Sequence, residues 1–510
     1  MASKRAMSRL LTLPPHIRRS VYSAATSSPK QPELFDLLCI GAGPAGLALV
    51  SALQSEPSTK NLKLALIDGQ ELRIANSNDQ NSFSNRCSSL TPSSVRFLHQ
   101  NGAWKHINAS RTQPYHGMHV WDGVSGSNIQ FDPSDRGSMG IMDGIAQLIP
   151  GSRLQESRKK YELDNSGTVA TMCENANLTS ALLQKLKEEG TQVEMLDKSK
   201  VEAIQFGPEP ETEESLDLSQ WPVVHLPGDR AIAARLLVGA DGANSPVRQF
   251  AGIPSHGWDY NQHGVVATLQ LDQSFDEYDV RTAYQRFLPT GPIALLPLPG
   301  NKASLVWSTF PQYAAKLKQL SPQDFTSMVN AAFRLMFVDI KYLLTEASAD
   351  PADELAWREP NTVASETGLP QNFPRVVGVQ EGTVASFPLR MRHCSTYTGH
   401  RVALIGDAAH TLHPLAGQGL NLGLADAEAL AKCIVNGVDH GMDIGSCWCL
   451  DDYNAERWAA NNAMLGVVDK LQKLYSVGSG PVVWGRSLGL DLVNKLGPLK
   501  GALMGAASAS

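Results

Sequence analysis

The chain has 510 residues, of which 42% are hydrophobic and 18% are charged, and its formal net charge is −6. This length predicts more than one hydrophobic core, and the small acidic excess gives no reason to expect a nucleic-acid partner. No apolar run reaches the roughly 18 residues of a membrane-spanning helix and the cysteines have no CxxC spacing, so we predict neither an integral membrane protein nor a metal site.

The first 32 residues differ in composition from the rest of the chain. They are rich in serine and alanine, and no acidic residue precedes Glu33. Their basic residues are Lys4, Arg5, Arg9, Arg18, Arg19 and Lys30. A secretory signal needs a longer apolar segment than this one contains. We therefore predict a mitochondrial transit peptide over residues 1–32, with a disordered basic tail as the alternative.

The folded part begins with a pattern typical of dinucleotide binding. An apolar strand over Phe35–Ile40 leads directly into GAGPAG and then into a helix of small residues. Gly41 permits a tight turn, Gly43 lets the backbone approach a pyrophosphate, and Gly46 lets the helix pack on the strand. A second strand, LKLALID, ends at Asp68, which is placed to bind the ribose hydroxyls. The sequence therefore predicts a dinucleotide site with an ADP half.

Two later apolar strands each run into a glycine–aspartate pair. In LLVGADGANSPVR the pair is Asp241–Gly242, with Arg248 following. In RVALIGDAAHTLHPLAGQG it is Gly406–Asp407. The loop after the second pair consists mainly of small and apolar residues, which indicates that the backbone itself approaches a ligand closely.

The order of these three motifs resembles the class A flavoprotein aromatic hydroxylases, the p-hydroxybenzoate hydroxylase type. The resemblance covers residues from about 34 to 458. It implies FAD as the cofactor and an α/β fold: a Rossmann-like FAD-binding domain with an interleaved α+β substrate domain and a C-terminal helical region. It further implies that the site catalyses hydroxylation of an aromatic ring.

The resemblance also implies roles for residues of the second glycine–aspartate loop. Asp407 is expected to bind the ribityl chain of the flavin. The loop that contains Pro414, Gly417, Gln418 and Gly419 is expected to follow the edge of the isoalloxazine ring. A helix that begins near Gln418 directs its free N–H groups at the flavin, where negative charge appears on reduction.

For three further residues the sequence leaves two interpretations open. The resemblance places Arg86 by the FAD phosphates, and the alternative is a plain surface arginine. His410 and His413 have the appearance of catalytic residues, but packing or hydrogen bonding beside the flavin is the favoured interpretation, because the flavin carries the oxygen chemistry. We assign no catalytic residue and no general base from the sequence.

Several longer segments narrow the resemblance to the ring hydroxylases of ubiquinone biosynthesis. These are NRCSSLTPSSVRFLHQNGAWKHI, TMCENANLTSALLQKL and YQRFLPTGPIALLPLPGNKASLVW. The implied reaction is hydroxylation, through a flavin hydroperoxide, of position 5 of a polyprenylated phenol or benzoate ring. The alternatives are a hydroxylase of another aromatic or lipid substrate, such as a kynurenine-like hydroxylase, and a non-redox binding protein of the flavin fold.

The same resemblance implies partners and a location. The substrates are a polyprenylated aromatic compound and O2, and electrons come from a ferredoxin and its reductase, with direct reduction by NADPH as the alternative. Other coenzyme Q biosynthesis proteins and a membrane surface are further expected partners, and nucleic acid is not. The expected location is the matrix face of the mitochondrial inner membrane, with peripheral attachment.

We predict domains from these motifs. The FAD-binding domain is discontinuous and comprises residues 33–115, 165–250 and 385–450. The substrate domain comprises residues 116–164 and 251–384, with a helical insertion at about 321–356. Within it, RFLPTGPIALLPL predicts two strands joined at residues 289–291, in the sheet on which the ring docks by resemblance. Residues 451–510 form C-terminal helices, whose apolar stripe either docks on a membrane or partner or packs on the core. The stripe comprises Trp484, Leu488, Leu492, Leu496, Leu499 and Leu503.

Overall fold

The structure is a computed structural model, and the residues it describes are 31–74, 82–131, 168–188, 193–210, 216–272, 282–346, 349–413, 417–480 and 483–486. Most of the predicted transit peptide lies outside these residues. Pro414 and the tail leucines from Leu488 onward also lie outside them.

The strands, in chain order, are β1 (Glu33–Ile40), β2 (Leu64–Ile67), β3 (Cys87–Leu90), β4 (Thr112–Tyr115), β5 (Gly117–Asp122), β6 (Asn128–Phe131), β7 (Ala170–Glu174), β8 (Val193–Leu196), β9 (Ala203–Phe206), β10 (Pro222–Leu226), β11 (Arg230–Gly239), β12 (Ser255–Leu271), β13 (Thr282–Leu288), β14 (Gly291–Leu298), β15 (Lys302–Thr309), β16 (Val376–Val379), β17 (Ala385–Cys394), β18 (Thr398–Gly399), β19 (Val402–Leu404) and β20 (His410–Thr411).

The α-helices are α1 (Pro44–Ser55), α2 (Pro92–Gln100), α3 (Asn175–Glu188), α4 (Pro246–Phe250), α5 (Pro311–Gln319), α6 (Pro322–Arg334), α7 (Phe337–Thr345), α8 (Pro351–Arg358), α9 (Ala364–Thr367), α10 (Gly419–Asp439) and α11 (Cys447–Tyr475). Helices α6, α7 and α8 occupy the segment in which the sequence predicts a helical insertion. No helix in the described ranges is long and apolar enough to cross a membrane.

The first sheet has the order β18-β19-β11-β1-β2-β8. The pairs from β19 to β8 are parallel. These strands are apolar on both faces because helices cover both, as the complete burial of Leu37 and Leu38 in β1 illustrates. The carboxyl ends of neighbouring parallel strands meet at one edge of a sheet. The glycine loop, Asp68 and both glycine–aspartate turns therefore lie along this edge, as the sequence predicts.

The second sheet has the order β20-β17-β12-β15-β14-β13-β5-β6, with β16 beside β12. One face carries large apolar side chains, among them Trp121, Ile293 and Trp307, which pack against helices α5 to α8. The predicted strand pair is present as β13 and β14, and residues 289 and 290 join the two strands. Among the described residues, helices α5 to α8 therefore cover one face of this sheet.

A small sheet of order β3-β7-β4 lies against the second sheet. Its Tyr115 and Met172 pack on Ala283 and Leu298. Helix α11 reaches the second sheet at another place, where Tyr475 stacks on Phe287 with ring centroids 3.9 Å apart. The second sheet therefore packs against the small sheet and against helix α11 at two separate places.

Helix α11 buries one face, and it begins at Cys447, so the predicted boundary at residue 451 lies inside the helix. Its buried face includes Tyr453, Leu465 and Val468. Two polar residues, Arg457 and Asn461, also lie on that buried face. A polar residue on a buried helix face needs partners, and both residues find theirs beside the candidate site.

Candidate active site

The glycine loop forms a tight crossing of backbones at the end of β1. Gly41 has φ +105°, and a Cβ there would lie 2.2 Å from the carbonyl oxygen of Ala240. A Cβ at Gly46 would lie 2.1 Å from the carbonyl oxygen of Gly41. Only glycine therefore fits at these two positions. Gly43 differs, because a Cβ there would have no heavy atom within 4 Å, so the space in front of helix α1 is open.

Asp68 braces the glycine loop. One carboxylate oxygen accepts a hydrogen bond from the backbone N–H of Ala42 at 2.8 Å, and the other accepts from the N–H of Gln70 at 2.7 Å. Each oxygen has a second lone pair, so the carboxylate still has acceptor capacity. Its role toward a ribose stays a prediction.

The first glycine–aspartate turn contains an unused acceptor. Asp241 Oδ2 accepts from the N–H of Val247 at 3.2 Å, while Oδ1 is buried with no hydrogen-bond partner among the described residues. Burial raises the pKa of Asp241, against the lowering effect of its hydrogen bonds. Gly242 has open space beside it. A buried orphan acceptor next to open space indicates that a ligand donor belongs there.

Arg248 links the two glycine–aspartate turns. Its Nη2 donates to the carbonyl of Ala243 at 2.7 Å, in the first turn. Its Nη1 donates to the carbonyl of Ala408 at 2.8 Å, in the second turn. The fixed fork of the guanidinium group therefore sets the distance between two turns that are far apart in sequence.

The second glycine–aspartate turn rests on a helix and exposes its acid. Gly406 donates its N–H to Asp426 Oδ2 at 3.0 Å. A Cβ at Gly406 would lie 3.5 Å from the Cβ of Ala45 in helix α1. Asp407 is exposed and its carboxylate makes no hydrogen bond with the described residues. Asp407, the residue predicted to bind the ribityl chain, can thus accept hydrogen bonds from a bound molecule.

Asp426 is the centre of a fully buried hydrogen-bond cluster. It accepts from Gly406, from His410 Nε2 at 2.6 Å, from Arg457 Nε at 2.9 Å and from Asn461 at 3.0 Å. Burial opposes its ionisation, but the charges and hydrogen bonds of His410, Arg457 and Asn461 lower its pKa to about 2. The cluster ties helix α11 to the turn. His410 accordingly has a hydrogen-bonding role in the structure.

Helix α10 begins at the loop expected beside the flavin. Its N-cap is Gln418, whose side chain makes no capping hydrogen bond. Helix α1 likewise begins without a side-chain cap, at Gly43. Five described helices have such a cap, at Thr91, Ser245, Ser321, Asp350 and Ser446, while α5, α7 and α9 also begin without one. Two adjacent uncapped N-termini present free N–H groups and a positive dipole end, which suits negatively charged groups.

His413 lies at the start of the same loop and is buried. Its Nε2 is 3.3 Å from Gln262 Oε1, and its ring meets that of Tyr260 edge-on at 5.0 Å. Burial lowers the pKa of His413 to about 4, so the imidazole is neutral at neutral pH. Its partner Gln262 is fixed in turn by the carbonyl of Thr290 at 2.8 Å. These contacts indicate that His413 positions the loop.

Arg86 lies at the surface, just before β3. Its side chain is exposed and makes no hydrogen bond or ion pair with the described residues, although its backbone carbonyl accepts from Asn175 at 2.9 Å. The structure therefore does not tie Arg86 to the other predicted residues, and its role by the FAD phosphates stays a prediction.

The face of the second sheet opposite helices α5 to α8 carries a continuous row of small and apolar side chains with one glutamine among them. Val266, Val306, Ala294, Gln285 and Val120 are cross-strand neighbours on β12, β15, β14, β13 and β5. We call these five residues the floor. Ala294 and Val306 are only half-buried although they lie in the middle of a broad sheet. A half-exposed apolar row at the centre of a sheet is the wall of a cleft.

The floor lies between two contacts of the second sheet, the first with Leu412 and helix α11 and the second with the small sheet. Phe287 belongs to the contact with Leu412 and helix α11. Ala283 belongs to the contact with Tyr115 and β7. Val266, Ala294 and Val306 pack into neither contact. Gly417, on the far side of the segment that follows Leu412, lies beside Ser89. Ser89 hydrogen-bonds Tyr115 of the second contact, so Leu412 and Gly417 lie at the two contacts that flank the floor.

These residues fit FAD. The glycine crossing and the uncapped N-terminus of helix α1 suit a pyrophosphate, and the orphan oxygen of Asp241 and the exposed Asp407 supply acceptors for hydroxyl groups. The N-terminus of helix α10 suits a ring that becomes negatively charged. Among the described residues, no cluster of His, Cys, Asp and Glu side chains is arranged for a metal ion.

Sequence reasoning missed the supporting residues Asp426, Arg457 and Gln262. A signal was present for two of them. Asp426 is the first acid of helix α10 and follows a run of mainly small and apolar residues, and Arg457 follows the buried Tyr453 by four residues and so shares its helix face. A polar residue at the helical spacing of a buried face predicts a buried network. Gln262 had no such signal, because its partners come from distant segments.

Comparisons with known proteins agree with this geometry. A protein-family profile described as FAD binding domain matches residues 35–350 and 364–467. The ubiquinone biosynthesis monooxygenase COQ6, mitochondrial, of Saccharomyces cerevisiae is 37% identical over 501 residues, which cover 95% of this chain and 96% of that protein. The Homo sapiens protein of the same name is 35% identical, with 93% and 92% covered.

Solved structures show the same fold at low identity. The p-nitrophenol 4-monooxygenase PnpA from Pseudomonas putida has a TM-score of 0.60 and 16% identity, with 92% of this chain and 97% of that chain covered. The probable FAD-dependent monooxygenase pqsL from Pseudomonas aeruginosa has a TM-score of 0.58 and 20% identity, with 90% and 100% covered. The similarity confirms the predicted fold class.

Proposed function

This chain belongs to the family of FAD-binding ubiquinone biosynthesis monooxygenases, and from this premise we propose that it hydroxylates position 5 of a polyprenylated phenol or benzoate ring. FAD, when bound and reduced, supplies the oxygen chemistry: one atom of O2 enters the ring and the other leaves as water. The family membership makes a kynurenine-like hydroxylase and a non-redox binding protein the less favoured alternatives.

The observation that carries this proposal is the apolar floor. An aromatic ring with an isoprenoid tail needs an apolar surface, and Val266, Val306 and Ala294 supply one that belongs to neither of the flanking clusters of described residues. Leu412 and Gly417, which flank the loop expected to follow the edge of the flavin ring, lie at the two sides of the floor. A substrate on the floor therefore lies between sheet and flavin.

The protein's own residues position the reactants and exclude water. Helix α10 directs free N–H groups toward the place where negative charge develops. The Asp426 cluster and Arg248 hold the second turn in place. His413 is neutral because burial lowers its pKa to about 4, and its Nε2 already meets Gln262. We therefore assign it no role as a general base.

The proposal can be tested with a substitution that fills the space above the floor. Val306→Trp places a large ring where the substrate is expected, so it should abolish hydroxylation of a 3-prenyl-4-hydroxybenzoate or 2-prenylphenol probe while FAD stays bound. Val306→Ile is the matched control, because it adds only one methylene group. Product mass and flavin absorbance are the measurements. Full hydroxylation by Val306→Trp would contradict the proposed substrate site.

The electron donor is proposed to be a ferredoxin with its reductase. The sequence contains one complete GxGxxG, which FAD uses, and an electron-transfer partner needs only a small, charge-guided contact. Direct reduction by NADPH is the alternative. Anaerobic mixing of the FAD-loaded protein with NADPH should leave the flavin oxidised, and addition of ferredoxin and its reductase should bleach it. Rapid bleaching by NADPH alone would rule out the favoured donor.

The proposed location is the matrix face of the mitochondrial inner membrane, with peripheral attachment. Helix α11 exposes Val467, Leu471 and Leu474 on one stripe, and Trp484 is also exposed just beyond the helix. Such a stripe suits the interface of a bilayer. Leu471→Asp with Leu474→Asp should reduce cosedimentation with vesicles and leave FAD bound, whereas the control Ala455→Asp, on another exposed face of the helix, should not.

The helical insertion is a proposed contact for other coenzyme Q biosynthesis proteins. Val338 on helix α7 and Trp357 on helix α8 are 71% and 65% exposed. Exposed aromatic and aliphatic side chains of this size mark binding surfaces when they lie together, and Arg358 contacts the rings of both Trp357 and Tyr342. Trp357→Ser should abolish copurification with other coenzyme Q biosynthesis proteins and leave the FAD content unchanged.

A further inference from the structure

One polar side chain interrupts the apolar floor. Gln285 is 7% exposed, and its cross-strand neighbours are Ala294 on one side and Val120 on the other. Its amide makes no hydrogen bond with any described residue. The amide atoms are not among the fully buried atoms that lack a partner, so they reach the open space above the floor. Gln285 is therefore an unpartnered polar group in an otherwise apolar site.

The direction of the Gln285 side chain follows from the strand. Side chains alternate along a strand, and the next residue, Arg286, faces the helices, where it donates to the carbonyl of Ala332 at 2.9 Å. Ala283 and Phe287, two residues to either side, take part in the two contacts that flank the floor. Gln285 accordingly lies on the floor, in the cleft between those contacts.

We propose that Gln285 hydrogen-bonds the oxygen substituent of the aromatic substrate, an inference that rests on the proposed function. A side-chain amide both donates and accepts, so it serves a phenol hydroxyl as well as a phenolate or a ring carboxylate. The neighbouring floor residues offer only van der Waals contact. The amide therefore fixes the rotation of the ring in its own plane, and with it the carbon that faces the oxygen donor.

The test compares two probes that differ in one oxygen atom, 2-prenylphenol and prenylbenzene. Binding to the FAD-loaded protein is followed by the change in flavin absorbance, which requires no turnover. The wild type should prefer the phenol, and Gln285→Met, which is similar in volume, should lose about 3- to 10-fold of that preference. Val306→Ala is the matched control on the same floor, and it should weaken both probes alike.

The outcomes separate this inference from the proposed function. Binding of neither probe by the wild type contradicts the proposed site itself. An unchanged phenol preference in Gln285→Met overturns the assignment of Gln285 alone. Equal weakening of both probes together with a lower melting temperature also overturns it, since this is the signature of a purely structural residue. Gln285→Glu gives a second measurement: it should reject 3-prenyl-4-hydroxybenzoate, whose carboxylate it repels, and still bind 2-prenylphenol.

Discussion

Two buried carboxylates, Asp426 and Asp122, are each paired with an arginine from the C-terminal region, but they support different halves of the site. Both are 0% exposed. Asp426 pairs with Arg457 and holds the turn beside the flavin. Asp122 pairs with Arg486 through two hydrogen bonds, at 2.9 and 3.0 Å, at the end of β5 in the floor sheet.

The difference between the two pairs lies in what they connect. The partners of Asp426 come from the turn at Gly406, from His410 just after it, and from helix α11. Arg486 joins the floor sheet to the chain beyond helix α11, and its Nη1 also donates to the carbonyls of Leu474 and Val477, near the end of that helix. The first pair therefore holds the turn at Gly406, while the second joins the end of helix α11 to the second sheet.

The largest expected effect is that of Asp426→Asn. It removes a buried charge that four donors share and leaves Arg457 without its partner, so the free energy of unfolding should fall by about 3–5 kcal/mol. Because the turn at Gly406 loses its anchor, FAD content should fall as well. Denaturant unfolding and flavin absorbance measure the two effects. Asp452→Asn, at an exposed position of helix α11, is the control.

Arg486→Leu should also destabilise the protein, by about 3 kcal/mol, but it should leave FAD bound, since Arg486 contacts no residue of the flavin turns. The double variant Asp122→Asn/Arg486→Leu should lose less than the sum of the two single losses, because neither partner is then left charged and alone. Additive losses, or release of FAD by Arg486→Leu, would erase the distinction between the two pairs.

Asp407→Ala tests the flavin turn without touching either buried pair. Loss of a hydrogen bond to a charged group weakens binding by about 1.5–3 kcal/mol, so FAD affinity should fall about ten- to a hundredfold. The fold should be kept, because Asp407 bonds to no described residue. FAD titration and circular dichroism, compared with the exposed Asp439→Ala, measure this. Unchanged affinity would remove Asp407 from the binding site.

Acid should weaken the Asp426 cluster over a defined range of pH. The folded pKa of Asp426 is about 2, below the value of about 3.9 for an unfolded aspartate. Its contribution to stability is thus complete above about pH 5 and disappears as the pH falls through ~2, a change of about 2–3 kcal/mol. The gap in unfolding free energy between the wild type and Asp426→Asn should narrow by this amount. A constant gap would mean that the cluster does not depend on ionisation.

The sequence predicts the flavin half well because its signals are local. Gly41, Gly43 and Gly46 lie within six residues, and each glycine–aspartate pair directly follows an apolar strand. The requirements at those positions concern backbone geometry, and short sequence motifs are enough to predict it. The strand pair β13 and β14 was equally predictable from its turn residues.

The supporting contacts were not predictable in the same way. Asp122 and Arg486 are 364 residues apart, and Arg486 follows Trp484 in a stretch with an amphipathic pattern, where an arginine is expected to face solvent. Gln285 lies between tyrosine and arginine in YQRF, and nothing local distinguishes it from a surface glutamine. Only the register of β13 against β14 and β5 shows that it faces the cleft.

The link that Arg248 makes between Ala243 and Ala408 has a consequence for synthesis. The first sheet is incomplete until β19 (Val402–Leu404) pairs with β11, so most of the chain must leave the ribosome before the cofactor cradle can close. Contacts of such sequence separation slow folding, and they expose unfinished sheet edges in the interval. A nonsense allele that stops before residue 402 should therefore yield a chain that cannot load FAD, even though it encodes the whole glycine loop.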